Sequence, residues 1–123
     1  MKRVLIIEDN ENNMELISFI LEAADYETIA AMDGLTGVEK AITEQPDFII
    51  LDIQLPDIDG LEVLTRIRAT EATEKIPVIA MTSYAMAGDR ERMLNAGCNG
   101  YIEKPIDPER VVSQIEAVLK ETI

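Results

Sequence analysis

Residues 48–64, FIILDIQLPDIDGLEVL, hold the change of pattern that decides the fold. Phe48-Ile49-Ile50-Leu51 is a continuous apolar run of strand length that stops at Asp52. A run with no polar alternation reads as a strand buried on both faces. Pro56 marks the loop that follows. Asp59 with Glu62 three residues later forms a capping box for a helix whose Leu61, Leu64 and Ile67 face inward.

The same alternation extends in both directions. Val4-Leu5-Ile6-Ile7 is a first buried strand; after Asn10, Met14, Ile17, Leu21 and Ala24, flanked by Leu16 and Ile20, mark a helical face. Thr28 to Ala31 is a weaker second strand. Asp33 caps a helix with Leu35, Val38, Ala41 and Ile42 inward, which Pro46 ends. Val78-Ile79-Ala80-Met81 is the fourth strand and ends at Thr82; the helix after it carries Met86, Met93 and Leu94 and closes at a left-handed Gly97. Tyr101-Ile102 is a short fifth strand. Asp107-Pro108-Glu109 opens a last helix with Val111, Val112, Ile115, Val118 and Leu119 inward. Five strand–helix pairs predict an α/β domain, a five-stranded parallel sheet with helices on both faces, because each parallel pair needs a right-handed crossover. The expected strand order is 2-1-3-4-5, which sets strands 1 and 3 side by side at the switch point where ligands bind.

Composition bounds the partners. The 123 residues include 24 Asp and Glu, 11 Lys and Arg and no His, for a net charge of −13, and 47% are hydrophobic. That suits one compact domain over residues 1–123 and no second domain. Such a charge repels phosphate backbones and anionic lipid, and no basic patch offsets it, so neither nucleic acid nor membrane is expected as a partner. The single cysteine, Cys98, can form no internal disulfide. Met1 to Glu8 lacks the features of a signal peptide, and no apolar stretch approaches the ~20 residues of a membrane span, so a cytoplasmic location is expected. The charge is lopsided: residues 1–64 carry 15 acidic and 3 basic side chains, residues 65–123 carry 9 and 8.

Four of the five strands terminate in chemically useful residues: Glu8-Asp9 after the first, Asp52 after the third, Thr82 after the fourth, Glu103-Lys104-Pro105 after the fifth. Parallel strands place all of these on one edge. Three converging carboxylates repel one another unless a cation sits among them. Mg²⁺ fits best, with Mn²⁺ as a substitute, since it takes one or two carboxylates and leaves positions for water and phosphate. A carboxylate there can attack phosphorus, so Asp52 is the candidate acceptor that becomes an aspartyl phosphate. The Lys104 ammonium would pair with one phosphoryl oxygen, and the Thr82 hydroxyl would donate to another.

Glu8-Asp9, Asp52 with Pro56 and Gly60 beyond it, Thr82 and Lys104-Pro105 together resemble the receiver domain of two-component response regulators, the CheY-like superfamily with its flavodoxin-like strand order. The resemblance runs from Val4 to Leu119. The stretches IIEDNENNMEL, LDIQLPDIDGLEV and AMAGDRERM look most like stand-alone regulators of the DivK type and receivers attached to hybrid kinases. It implies that Asp52 takes its phosphoryl group from a histidine kinase or a histidine phosphotransfer protein, and that Glu8, Asp9, Asp52 and the backbone carbonyl of Gln54 hold the metal. It further implies a cis peptide at Lys104-Pro105, and a switch in which Thr82 moves toward the phosphoryl group and Tyr101 turns inward behind it.

Gln54 and Tyr84, two residues beyond Asp52 and Thr82, are candidates to shield or position the attacking water; Ser83, where such proteins usually have Ala or Gly, is still small, so access should survive. The first helix, which in such proteins helps dock the donor, presents an acidic face, since no Lys or Arg occurs between Val4 and Glu39; a donor with a basic rim is expected. A downstream protein target would meet a surface around Tyr84, Met86, Arg90, Met93, Tyr101 and Lys104, where some relatives form phosphorylation-linked dimers; monomer and dimer both remain open.

Two rival readings fit less well. A dehalogenase-type phosphatase needs a second acid where Gln54 stands, and a flavodoxin needs a phosphate loop and flavin-stacking aromatics, whereas there is no Trp and the first loop is acidic. The expected protein is a phosphoacceptor with slow self-dephosphorylation and not a turnover enzyme. A receiver fold that docks partners without phosphorylation, or a receiver excised from a hybrid kinase, is the alternative.

Overall fold

A computed structural model of the chain describes residues 2–82 and 89–121. The elements alternate as Lys2–Ile7 (β1), Glu11–Ala23 (α1), Tyr26–Ala31 (β2), Gly34–Glu44 (α2), Phe48–Asp52 (β3), Gly60–Ala69 (α3), Val78–Thr82 (β4), Asp89–Asn95 (α4), Gly100–Glu103 (β5) and Val111–Glu121 (α5). All neighbouring strands are parallel, in the order β2-β1-β3-β4-β5. The expected class and order are those found. Ser83, Tyr84 and Met86 lie outside the described residues.

Alternation along the strands divides the core into two. Leu5, Ile7, Ile49, Leu51, Val78 and Ala80 face Ala41 of α2, Val63, Leu64 and Ile67 of α3 and Met93 of α4. Val4, Ile6, Phe48, Ile50, Ile79 and Met81 face Met14, Ile17 and Leu21 of α1 and Val111 and Ile115 of α5. The central strands therefore have no polar face to show, which is why their sequences read as unbroken apolar runs.

Helix rotation differs from expectation in several places. On α2 the inward residues are Gly34, Gly37 and Ala41, while Leu35 and Ile42 are 50% and 40% exposed. The cause is close approach: small residues let the α2 backbone sit on β1, so the large side chains are turned outward. Leu16 on α1, Leu61 on α3 and Leu94 on α4 are likewise exposed, beside buried Ile17, Gly60 and Met93. β2 begins at Tyr26, whose ring meets Phe48 edge to face with centroids 5.5 Å apart. At the last helix, Asp107 opens a turn in which its carbonyl accepts from the Arg110 and Val111 amides, and α5 proper starts only at Val111. Asn10, Asp33 and Asp59 cap α1, α2 and α3 by accepting from the amides of Asn13, Thr36 and Glu62. Gly97 follows α4 with φ 110°, the left-handed closure expected of it.

Candidate functional site

Backbone bonds carry the strand ends onto one rim. Glu8 N donates to Ala31 O, Ile53 N to Met81 O and Lys104 N to Thr82 O, so the residues just past β1, β3 and β5 stay in line with the sheet. There Glu8, Asp9 and Asp52 each present a carboxylate oxygen, all within 4.8 Å of one another. Lys104 Nζ lies 2.5 Å from Glu8 Oε1 and 3.3 Å from Asp52 Oδ2. Glu8, Asp52 and Thr82 are buried at 5%, 6% and 1% exposure, whereas Asp9 is open to solvent. Asp52 Oδ1 accepts from the Gln54 amide at 3.1 Å. The peptide between Lys104 and Pro105 is cis, as the resemblance implied.

The electrostatics follow from burial. Loss of water raises the Glu8 carboxyl above its ordinary range, and the nearby Asp52 pushes it the same way against the pull of Lys104. Burial opposes the charged Lys104 ammonium, but its bonds to Glu8 and Asp52 outweigh that and raise its pKa. Three carboxylates facing one ammonium leave two negative charges uncompensated when all are ionised. A hard divalent cation is the group that such an oxygen-only donor set fits, and the exposed Asp9 leaves room for the waters that Mg²⁺ retains.

A cleft of about 480 Å³ opens beside the acids, with Gln54 on its lining and an apolar shelf made by Leu16, Ile17, Pro105 and Ile106. The shelf has no counterpart in the sequence reading, which places Leu16 on the flank of the Met14–Ile17–Leu21 stripe and assigns it no part in the site. Phe19, 74% exposed on α1, stands wholly outside that stripe.

The remaining candidates separate. Tyr101 is half-buried on β5 and packs against the core that holds α3 and α4. Arg90 is exposed. Met93, expected on the partner surface, is 3% exposed within that same core and so offers no contact to a partner. Tyr84 and Met86 fall outside the described residues.

A parallel five-stranded sheet with acids at the β1/β3 switch point and a lysine after β5 defines a receiver domain. The chain belongs to the family described as the response regulator receiver domain, which it matches over residues 4–116. Within that family it is a DivK-like response regulator of two-component signalling. It is 46% identical over 118 residues, 96% of each chain, to the polar-differentiation response regulator DivK of Brucella ovis. Among solved structures it is similar to a CheY-like receiver domain protein from Methanospirillum hungatei, with a TM-score of 0.90, 31% identity and 99% and 96% of the two chains covered. It is also similar to the receiver domain of a sensor histidine kinase from Pseudomonas aeruginosa, with a TM-score of 0.88, 33% identity and 97% and 98% covered. That structure has a magnesium ion coordinated in its active-site cleft. Among the described residues, no helix is long and apolar enough to cross a membrane.

Proposed function

We propose that Asp52 accepts a phosphoryl group from a phosphohistidine on a kinase or phosphotransfer protein. One observation carries this reading: the buried Asp52 carboxylate sits between two further acids and the Lys104 ammonium at 3.3 Å. A carboxylate oxygen of Asp52 attacks phosphorus, the P–N bond breaks, and the histidine ring leaves with the bonding pair. Lys104 Nζ pairs with a phosphoryl oxygen, and the Thr82 hydroxyl donates to a second. Glu8, Asp9, Asp52 and the Gln54 carbonyl would hold Mg²⁺, or Mn²⁺ in its place, and the bound ion would neutralise charge on the group in transfer.

The new charge biases a two-state element in which Thr82 and Tyr101 rearrange, and the face around exposed Arg90 and the half-buried Tyr101 and Lys104 changes for a downstream protein. The apolar shelf of Leu16, Ile17, Pro105 and Ile106 beside the acceptor, rimmed by the acidic α1, suits a donor with a basic rim, whose on-rate falls as salt rises. The likeness to the DivK response regulator supports a phosphoacceptor in place of a turnover catalyst, and the same reading places it in the cytoplasm.

The test is intact mass after incubation with a small acyl-phosphate donor. Gain of one phosphoryl group by the wild type with Mg²⁺, but not without metal and not by Asp52→Asn, is the expected result. An unlabelled protein that still binds Mg²⁺ would leave a docking module, with Asp52 as a metal ligand only.

A further inference from the structure

The loop of residues 53–59, which carries the Gln54 carbonyl, is pinned at its base and again at its tip. At the base, Gly60 N donates to Ile53 O at 2.8 Å, and a Cβ on Gly60 would lie 2.6 Å from Ile53 Cα and 2.9 Å from Asp52 O. The loop thus closes directly onto the backbone of the acceptor. At the tip, Asp57 reaches a different element: its Oδ1 accepts from Gly34 N and its Oδ2 from Leu35 N, both at 2.8 Å. Both oxygens of one carboxylate are taken up by the first turn of α2, 22 and 23 residues away in sequence.

Helix α2 already has its own cap. Asp33 accepts from Thr36 N at 2.7 Å, and its carbonyl accepts from Gly37 N. Asp57 therefore acts across elements. Packing accompanies the bonds, since a Cβ on Gly34 would fall 2.6 Å from Ile58 Cγ1 and 2.8 Å from Val63 Cγ2. Although loss of hydration works against the charged form, the amides of Leu35, Gly34 and Ile58 pull the Asp57 carboxyl down to about 2. The clamp stays anionic under all ordinary conditions.

We infer that Asp57 is a positioning residue for the acceptor loop, tethering it to the first turn of α2 so that the Gln54 carbonyl is held where Mg²⁺ can use it. This rests on the metal reading proposed above. The Gln54 amide donates a hydrogen bond to Asp52 Oδ1, which fixes one side of the residue; on the other side, short of Gly60, the Asp57 bonds to Gly34 and Leu35 add to the packing of Leu55 and Ile58 against the core. A ligand carbonyl that must be ordered on binding gives a weaker site than one ordered beforehand. By linkage, the metal must in turn steady the Gly34 and Leu35 amides.

The experiment is calorimetric titration of Mg²⁺ into the wild type, Asp57→Ala, Asp57→Asn and Asp33→Ala, at a temperature where circular dichroism shows each folded. Amide hydrogen exchange of Gly34 and Leu35 in the wild type is followed with and without Mg²⁺. Asp57→Ala should weaken binding about fivefold, below the roughly 10- to 100-fold typical of residues that bond directly to metal ligands. Asp57→Asn, which keeps one acceptor oxygen, should lose less. Asp33→Ala loosens the same helix from its own side and should leave the affinity unchanged, while Mg²⁺ slows exchange at Gly34 and Leu35 in the wild type. Unchanged affinity in Asp57→Ala overturns the inference, as does an equal loss in Asp33→Ala, which would make the effect one of helix integrity. A wild type that binds no Mg²⁺ overturns the metal reading and this inference with it. Should the alanine variant not fold, Asp57→Asn against Asp33→Ala carries the same comparison.

Discussion

The two ends of the sheet hold the same kinds of charge in opposite circumstances. Where the strands begin, Arg3 meets Glu44 at 2.7 Å and Glu27 at 3.8 Å, its own amide donates to Asp47, and its side chain is 33% exposed. Where they end, Lys104 at 15% meets Glu8 and Asp52 at 6% and 8%. Water screens the first cluster and makes each pair worth roughly 0–1 kcal/mol. It is largely excluded from the second, where an uncompensated charge is costly and a charged ligand correspondingly welcome. Burial, more than residue type, separates a solvated surface network from a reaction site.

Removing the buried cation should break the contrast most severely. Lys104→Met leaves Glu8 and Asp52 facing each other and should cost about 3 kcal/mol in denaturant unfolding without metal. Added Mg²⁺ should protect the wild type next most strongly, by about 2.7 kcal/mol at a hundredfold excess over its Kd, read as a rise in Tm. Asp9→Asn should lose most of that protection yet be about 1 kcal/mol more stable than wild type in the absence of metal, since one repelling charge is gone.

A smaller change confined to acid pH comes from Asp57. Its folded carboxyl titrates at about 2, below the unfolded value near 3.9. The stability it supplies is full above that unfolded value and is lost as pH falls through about 2. Asp57→Asn should flatten that limb of a pH-dependent unfolding curve. Arg3→Met, at the exposed end, should cost under about 1 kcal/mol and leave acyl-phosphate labelling unchanged.

Much of this arrangement is legible in residue order. The unbroken runs 4–7, 48–51 and 78–81 announce strands covered on both faces, and their terminal Glu8-Asp9, Asp52 and Thr82 announce the rim, because parallel strands end together. Helix rotation was harder to read. Leu35 and Ile42 look like a core stripe, and only the packing of Gly37 on Ile7 and of Gly34 on Ile58 and Val63 reveals that the small residues face inward. Met93 and Leu94 were equally apolar candidates, and packing alone decides that Met93 is the buried one. Contacts across long separations left no local trace at all. The Asp57 bonds to Gly34 and Leu35 satisfy no pattern of spacing, and neither does the shelf that Leu16 forms with Pro105 and Ile106.

The uniform strand direction also gives the molecule a place for a handle. Asp25, exposed with φ 69° at the corner between α1 and β2, lies at the starting end of the sheet, remote from every acid at the rim. A reporter domain spliced into that corner would ride on the regulator while the acceptor cleft, the α1 shelf and the face around Arg90 stayed open to their partners.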